Sequence, residues 1–342
     1  YLLALQRRVR LAWGRARSIV TRTRIPADWS PAIAKRRMRL VHRGHGSRVL
    51  MGRCGALGED CREVALKVVR DKAVEARQEI DILRRLRGSG NVVTYLASEE
   101  FPSASYLLTT AAEGTLAQHI RARRREGVAR MPLEEALPIL VDLLRGARDL
   151  ERLNIVHGDL SEHTVLMQDG RPLLADFGSA AIVRHGLPRA PADNAMVLSR
   201  VLRMPPETLR GAATGPSNNV FQVGLVFASM TLGSLPVLRT LLRESPRVRR
   251  SGVLLWDPAL IDRAQAVLRK KFRLDDDAAF KDLWDRDVKD ILAGLLETSP
   301  ERRWTATGAL AQALAIARRR GIYLPPERVP PSAALPWLGD WE

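Results

Sequence analysis

His157-Gly158-Asp159-Leu160-Ser161-Glu162-His163-Thr164, followed downstream by Leu173-Leu174-Ala175-Asp176-Phe177-Gly178, is the stretch that decides the fold of this 342-residue chain. Each half places an aspartate within two residues of a glycine, and Asp176 directly follows the apolar run Leu173-Leu174-Ala175. Leu133, Leu137, Leu140, Leu144, Ala147 and Leu150 precede the first half at helical spacing and predict one long helix.

Further upstream the pattern is β-like. Short runs at 39–41, 48–51 and 64–69 are separated by glycines, a helix is expected over 72–86, and strands over 92–96 and 105–109. Val64-Ala65-Leu66-Lys67 ends in a lysine inside an apolar strand, which must be paired or lose its proton. Glu79, with Leu83 and Leu86 behind it, is the expected partner, and Glu75 one turn earlier is the rival. Gly44-His45-Gly46-Ser47-Arg48-Val49 joins the first two strands and exposes backbone N–H groups of the kind that cradle phosphate.

Downstream of the two aspartates lie Pro205-Pro206-Glu207, Asn219-Val220-Phe221-Gln222-Val223-Gly224 and Arg303, with helices expected over 219–232, 258–271, 284–296 and 305–319. The apolar run 220–238 contains Gln222, Ser229, Thr231, Ser234 and Pro236, so a buried helix is expected there rather than a membrane span.

Composition narrows the class. Apolar residues at 46% and charged ones at 27% exclude a disordered or collagen-like chain, and two cysteines exclude a disulfide-stapled miniprotein. The net charge of +17 is unevenly spread: residues 1–48 hold thirteen basic residues and a single acid, Asp28. Leu2, Leu5, Val9, Trp13, Ala16, Ile19 and Val20 recur at helical spacing among arginines, a basic amphipathic helix. The excess belongs to that extension, so no nucleic-acid partner is expected for the whole chain.

Taken in order, these motifs resemble those of protein kinases over residues 39–320. The resemblance implies an α+β, bilobal fold: a small five-stranded antiparallel N-lobe with one helix, then a larger, mainly helical C-lobe. It divides the chain into an extension at 1–38, an N-lobe at 39–112, a C-lobe at 113–324 and a Pro/Trp tail at 325–342 expected to dock on the body. It implies ATP with Mg²⁺, or Mn²⁺, a protein substrate phosphorylated on Ser or Thr, and a monomer. Asp159 is then the catalytic aspartate, Lys67 holds the α- and β-phosphates, and Asp176 binds metal with Thr164. Gly44, Gly46, Val49, Ala65, Glu79, Leu108, Ala111 and Leu166 are expected around the nucleotide, and Glu207 with Arg303 forms a structural ion pair.

Departures from the family pattern are specific. Gly158 replaces the arginine that receives an activation-segment phosphate, Ser161 a lysine, and Thr164 the metal-binding asparagine. Asn219 replaces an aspartate. Ser179 and Ser199 are the only hydroxyl residues between Asp176 and Glu207. Activity without phosphorylation of that segment is therefore expected, with Ile182, Val183, Leu187, Met196, Val197 and Leu202 as apolar anchors. A pseudokinase that binds nucleotide without transferring phosphate is the alternative. A basic membrane-surface or nucleic-acid module on a kinase-like scaffold and a small-molecule kinase rank behind both.

The basic extension, a glycine loop with His42 and Ser47 where the family has its first and third glycines, and Asn219 also resemble secreted apicomplexan rhoptry kinases. That subfamily implies an effector in the rhoptry or host cell, otherwise a cytoplasmic protein, with residues 1–20 on anionic membrane or packed on the small lobe. Cys54 and Cys61 flank a short turn and either bridge in an oxidising compartment or stay unpaired.

Overall fold

The computed structural model describes residues 38–43, 46–53, 63–70, 73–101, 104–183, 202–209, 215–233 and 285–329. The basic helix expected at 1–20, Gly44, both cysteines, the helix expected at 258–271, Leu187, Met196, Val197, Ser199 and the Trp-containing tail end lie outside them. By contact the chain divides into two units: residues 1–115, 166–179 and 328–342, and residues 116–165 and 180–327.

The first unit is built on a five-stranded antiparallel sheet of β1 (Arg39–Arg43), β2 (Ser47–Arg53), β3 (Glu63–Val69), β4 (Tyr95–Phe101) and β5 (Ala104–Thr110), in the order β1-β2-β3-β5-β4. β3 alternates: Val64, Leu66 and Val68 join Leu50, Ala97, Ala104, Tyr106 and Leu108 in one apolar cluster, while Ala65 and Lys67 take the other face. One helix, α1 (Ala73–Arg85), buries Ala76, Ile80, Ile82 and Leu83. Arg84 and Arg87 cover the Tyr95 ring.

The expected strand at 92–96 is displaced to β4. Val92 instead bridges Leu174, with Val93 N–H donating to the Leu174 carbonyl and Leu174 N–H to the Asn91 carbonyl, both at 2.9 Å. Those backbone groups are thus satisfied by a later segment. That segment is a hairpin of β8 (Val165–Gln168) and β9 (Arg171–Leu174), turned by Asp169-Gly170 and extended by the short β6 (Gly114–Thr115).

The second unit is mainly helical. Its described elements are α2 (Leu116–Arg125), α3 (Leu133–Arg152), β7 (Ile155–Val156) paired with β10 (Ala181–Ile182), α4 (Pro206–Leu209), α5 (Ser217–Thr231), α6 (Arg286–Leu295) and α7 (Ala306–Arg320). α5 is buried almost all round, as its apolar run predicts, and packs against α3 and α6. Asp285 caps α6 and Thr305 caps α7. Glu151 of α3 also accepts the Ala306 and Thr307 N–H groups, tying the two helices together. A five-stranded sheet with one helix and a helical second unit form the expected α+β fold.

Candidate functional site

In the first unit three charged side chains converge. The pleat of β3 turns Lys67 away from the apolar cluster, and α1 carries Glu79 to it. Lys67 Nζ donates to both Glu79 oxygens at 2.9 and 2.8 Å and to Asp176 Oδ1 at 2.7 Å. Phe177, fully buried after Asp176, sends its backbone N–H to the Glu79 carboxylate as well. Glu75 is exposed, so the rival partner is excluded.

Burial alone would lower the Lys67 ammonium, but the charges of Glu79 and Asp176 outweigh it and hold the amine above its ordinary value. Lys67 is therefore a permanent cation. Asp176 stands at φ 63°, a left-handed conformation uncommon for a residue with a side chain, and its carboxylate is 57% exposed. A strained backbone turns an accessible carboxylate toward a fixed cation, and Gly178 flanks all three groups.

Other expected residues are placed by strand register. Val49 lies opposite Lys67, and Ala65 lies between Met51 and Thr109, so all belong to the Lys67 face. Gly46 enters β2 at φ 82°, a conformation glycine adopts without strain. Ala111 is buried and donates its N–H to the Glu63 carbonyl, and Leu166 sits half-buried in β8 opposite Thr115.

Leu108 requires correction. It pairs with Leu66 inside the apolar cluster, on the sheet face opposite Lys67, and a one-residue step exchanges faces. Thr109, buried and opposite Ala65, and Leu107, opposite Lys67, occupy the face expected of it.

In the second unit the loop 157–164 is braced by uncharged groups. Asn219, fully buried on α5, accepts the His157 N–H at 2.8 Å and donates to the Ile155 carbonyl at 2.7 Å. Gly158 adopts φ 80°, which removes any strain an arginine would carry there. The Thr164 hydroxyl donates to the Asp159 carbonyl at 2.9 Å and accepts the Ser161 N–H at 2.9 Å. An asparagine has two polar atoms and could brace the loop with one while offering the other to a metal. Thr164 has one oxygen, already engaged.

Glu207 and Arg303 form the expected pair, bidentate at 2.7 and 2.9 Å and almost wholly buried, with the guanidinium over the Phe221 ring. Leu202 is buried as expected of an anchor, but Ile182 is 40% exposed: it holds by backbone pairing with Ile155 in the β10–β7 ladder, not by packing.

Sequence reasoning missed Gln222, whose Oε1 accepts the Leu160 N–H at 3.2 Å, and the pair of Glu162 with Arg203 at 2.9 Å. A lone amide in the apolar run of α5 was the available signal for the first, since a buried amide needs partners. The second pair is 41 positions apart and leaves no local trace.

Among the described residues no group of three or more His, Cys, Asp or Glu side chains could hold a metal ion. A divalent ion at Asp176 would need oxygens from a phosphate ligand, the usual arrangement for Mg²⁺. One exposed carboxylate beside one permanent cation fits such a ligand.

The protein kinase domain family matches residues 37–314. Serine/threonine-protein kinase STY46 of Arabidopsis thaliana is 25% identical over 294 residues, 82% of this chain and 49% of that protein. The phosphorylase b kinase gamma catalytic chain, liver/testis isoform, of Mus musculus is 25% identical over 280 residues, 80% of this chain and 61% of its own length. The 2-5A-dependent ribonuclease of Mus musculus is 29% identical over 136 residues, 37% of this chain and 18% of the relative. The chain thus spans less than two thirds of each of these curated relatives.

Proposed function

Since this chain belongs to the protein kinase family, we propose that it transfers the γ-phosphoryl group of ATP to Ser and Thr hydroxyls of protein substrates, without prior phosphorylation of its activation segment. The observation that carries this reading is Lys67 Nζ bridging Glu79 and Asp176. Bound ATP supplies the phosphoryl group, and a divalent metal, Mg²⁺ in most of the family, neutralises its charge. Lys67 would hold the α- and β-phosphates, with Glu79 fixing the direction of its ammonium. Asp176 would hold the metal. Asp159 would orient the substrate hydroxyl and take its proton. Val49, Ala65, Ala111 and Leu166 would border the nucleotide, with Thr109 in the place expected of Leu108.

Turnover of ATP by the purified chain with Mg²⁺ or Mn²⁺ tests the reading. Lys67→Ala, Asp159→Ala and Asp176→Ala should each abolish transfer, and Asp176→Ala should also weaken nucleotide binding. Full activity in Asp159→Ala would sink the assignment.

Thr164 favours a second reading, a pseudokinase that binds nucleotide without transfer, because its single oxygen is used by the loop backbone. Nucleotide binding by the parent chain without turnover would establish it. For localisation, the arginine-rich residues 1–20 support a secreted effector docked on anionic membrane. Association of the full chain with anionic vesicles that falls with salt, and disappears when residues 1–20 are deleted, is the expected result. Lower thermal stability of the deleted chain, with no vesicle binding by the parent, would assign that helix to packing on the small lobe instead.

A further inference from the structure

Arg203 precedes Pro205-Pro206-Glu207 and is held at both of its ends. Its Nη2 donates to Glu162 Oε1 at 2.9 Å, with only 12% and 14% of the two side chains exposed. Its backbone carbonyl accepts Gln222 Nε2 at 3.5 Å, a long contact, while Gln222 Oε1 accepts the Leu160 N–H at 3.2 Å. Glu162 is fixed in turn, since its own carbonyl accepts the Ala117 N–H at 2.7 Å. One buried amide and one shielded ion pair therefore join the loop that carries Asp159 to the segment that leads into α4.

Phosphorylation orders such a segment by adding an anion to it, which a loop arginine then receives. In this chain both halves of that contact are altered. Gly158 stands where the arginine would be, and the loop supplies an anion, Glu162, to a cation on the segment, Arg203. We propose that Glu162 and Arg203, seated on Gln222, form a charge-reversed lock that holds residues 202–207 in position for a protein substrate with no phosphate required. The inference rests on the protein kinase reading and names the contact that replaces phosphorylation. All three are positioning residues: they act through the loop and the segment, not on the reacting atoms.

The full chain tests this with a Ser/Thr peptide mixture as substrate. Glu162→Gln and Arg203→Gln should each lower kcat/KM for peptide by about tenfold or more, while the Kd for Mg·ATP stays within about threefold. The exchange Glu162→Arg with Arg203→Glu should recover most of the loss, and Arg203→Lys, which keeps the charge, should stay within about threefold of the parent. Phosphatase treatment of the parent should leave its turnover unchanged. Parental kcat/KM in Glu162→Gln would overturn the lock, as would an equal loss of nucleotide affinity that the exchange does not recover. Amide hydrogen exchange separates this inference from the kinase reading because it needs no turnover. In Glu162→Gln the amides of Leu160, Leu202, Arg203, Met204 and Glu207 should exchange about tenfold faster than in the parent. Unchanged protection overturns the lock whatever the parent's activity. Faster exchange in a parent that never transfers phosphate supports the lock and overturns the enzyme instead.

Discussion

Replacing Lys67 by alanine should make stability depend on pH in a calculable way. Glu79 is 4% exposed and both its oxygens lie within 2.9 Å of Lys67 Nζ. Without the cation, the buried carboxylate takes a proton rather than stay charged. Neutralising a carboxyl of ordinary value 4.5 costs about 3.4 kcal/mol at pH 7 and about 0.7 kcal/mol at pH 5. In the variant the folded value lies above the unfolded one. Stability from Glu79 is then present in full below 4.5 and is lost as pH rises toward the folded value.

In the parent, burial also holds the Glu79 carboxyl above its ordinary value, but the Lys67 charge opposes it, so the same loss is present only in part. Lys67 itself is held above its ordinary value of 10.5 and stays charged throughout pH 5 to 7. The deficit of Lys67→Ala relative to the parent should therefore grow between pH 5 and pH 7, by at most about 2.7 kcal/mol. Urea unfolding followed by far-ultraviolet circular dichroism at pH 5, 6 and 7 measures it. The double variant Lys67→Ala/Glu79→Gln has no buried carboxyl at position 79 to titrate, so its deficit should not grow between pH 5 and pH 7. A Lys67→Ala deficit equal at pH 5 and pH 7 would refute the reasoning, since Glu79 would then not depend on Lys67 for its charge.

Three further outcomes are expected. Thr164→Asn supplies a second polar atom to the loop and should lower the metal concentration for half-maximal activity; an unchanged requirement would place residue 164 away from the metal. Glu207→Gln leaves the fully buried Arg303 guanidinium without its counter-charge and should destabilise the second unit by about 3–5 kcal/mol in urea, with a loss under 1 kcal/mol contradicting the burial. His119, and after it Arg123, hold the Glu135 carboxyl down to about 2, so its contribution is present above the ordinary value of 4.5 and lost as pH falls toward 2. Glu135→Gln should remove that part of the acid dependence, about 1 kcal/mol for a pair that water still partly screens, and an unaltered acid profile would show that Glu135 does not titrate there.

What could be read in the sequence follows from how far each signal extends along the chain. β3 alternates between a buried and a half-exposed face, so its period placed Lys67 on the face away from the core. β5 is buried on both faces almost to its end, so no alternation separates Leu108 from Thr109, and the choice between them needs the register with β3. Val92 and Val93 are apolar enough for a strand, yet their backbone partner, Leu174, lies far along the chain. The ion pair of Lys67 with Glu79 was legible because burial makes an unpaired lysine costly. Glu162 and Arg203 are both ordinary surface residue types, so only the fold reveals that they meet.

The four departures in and around the Asp159 loop share one physical character. Gly158, Ser161, Thr164 and Asn219 put uncharged groups where the family pattern has charged or metal-binding side chains. The backbone braces persist even so. Asn219 still accepts from His157, Thr164 still spans Asp159 and Ser161, and Gly158 adopts its left-handed turn without strain. Neutral hydrogen bonds of about 1 kcal/mol each are sufficient to hold such a loop. They add little electrostatic field toward a transferring phosphoryl group, where a charge in a water-poor site counts for several times more. Substitution here has preserved shape and removed charge. Any transfer would then draw its electrostatic stabilisation mainly from Lys67 and from a metal held by Asp176, and the metal dependence of turnover, not the integrity of the loop, is the property that separates an active enzyme from a silent one.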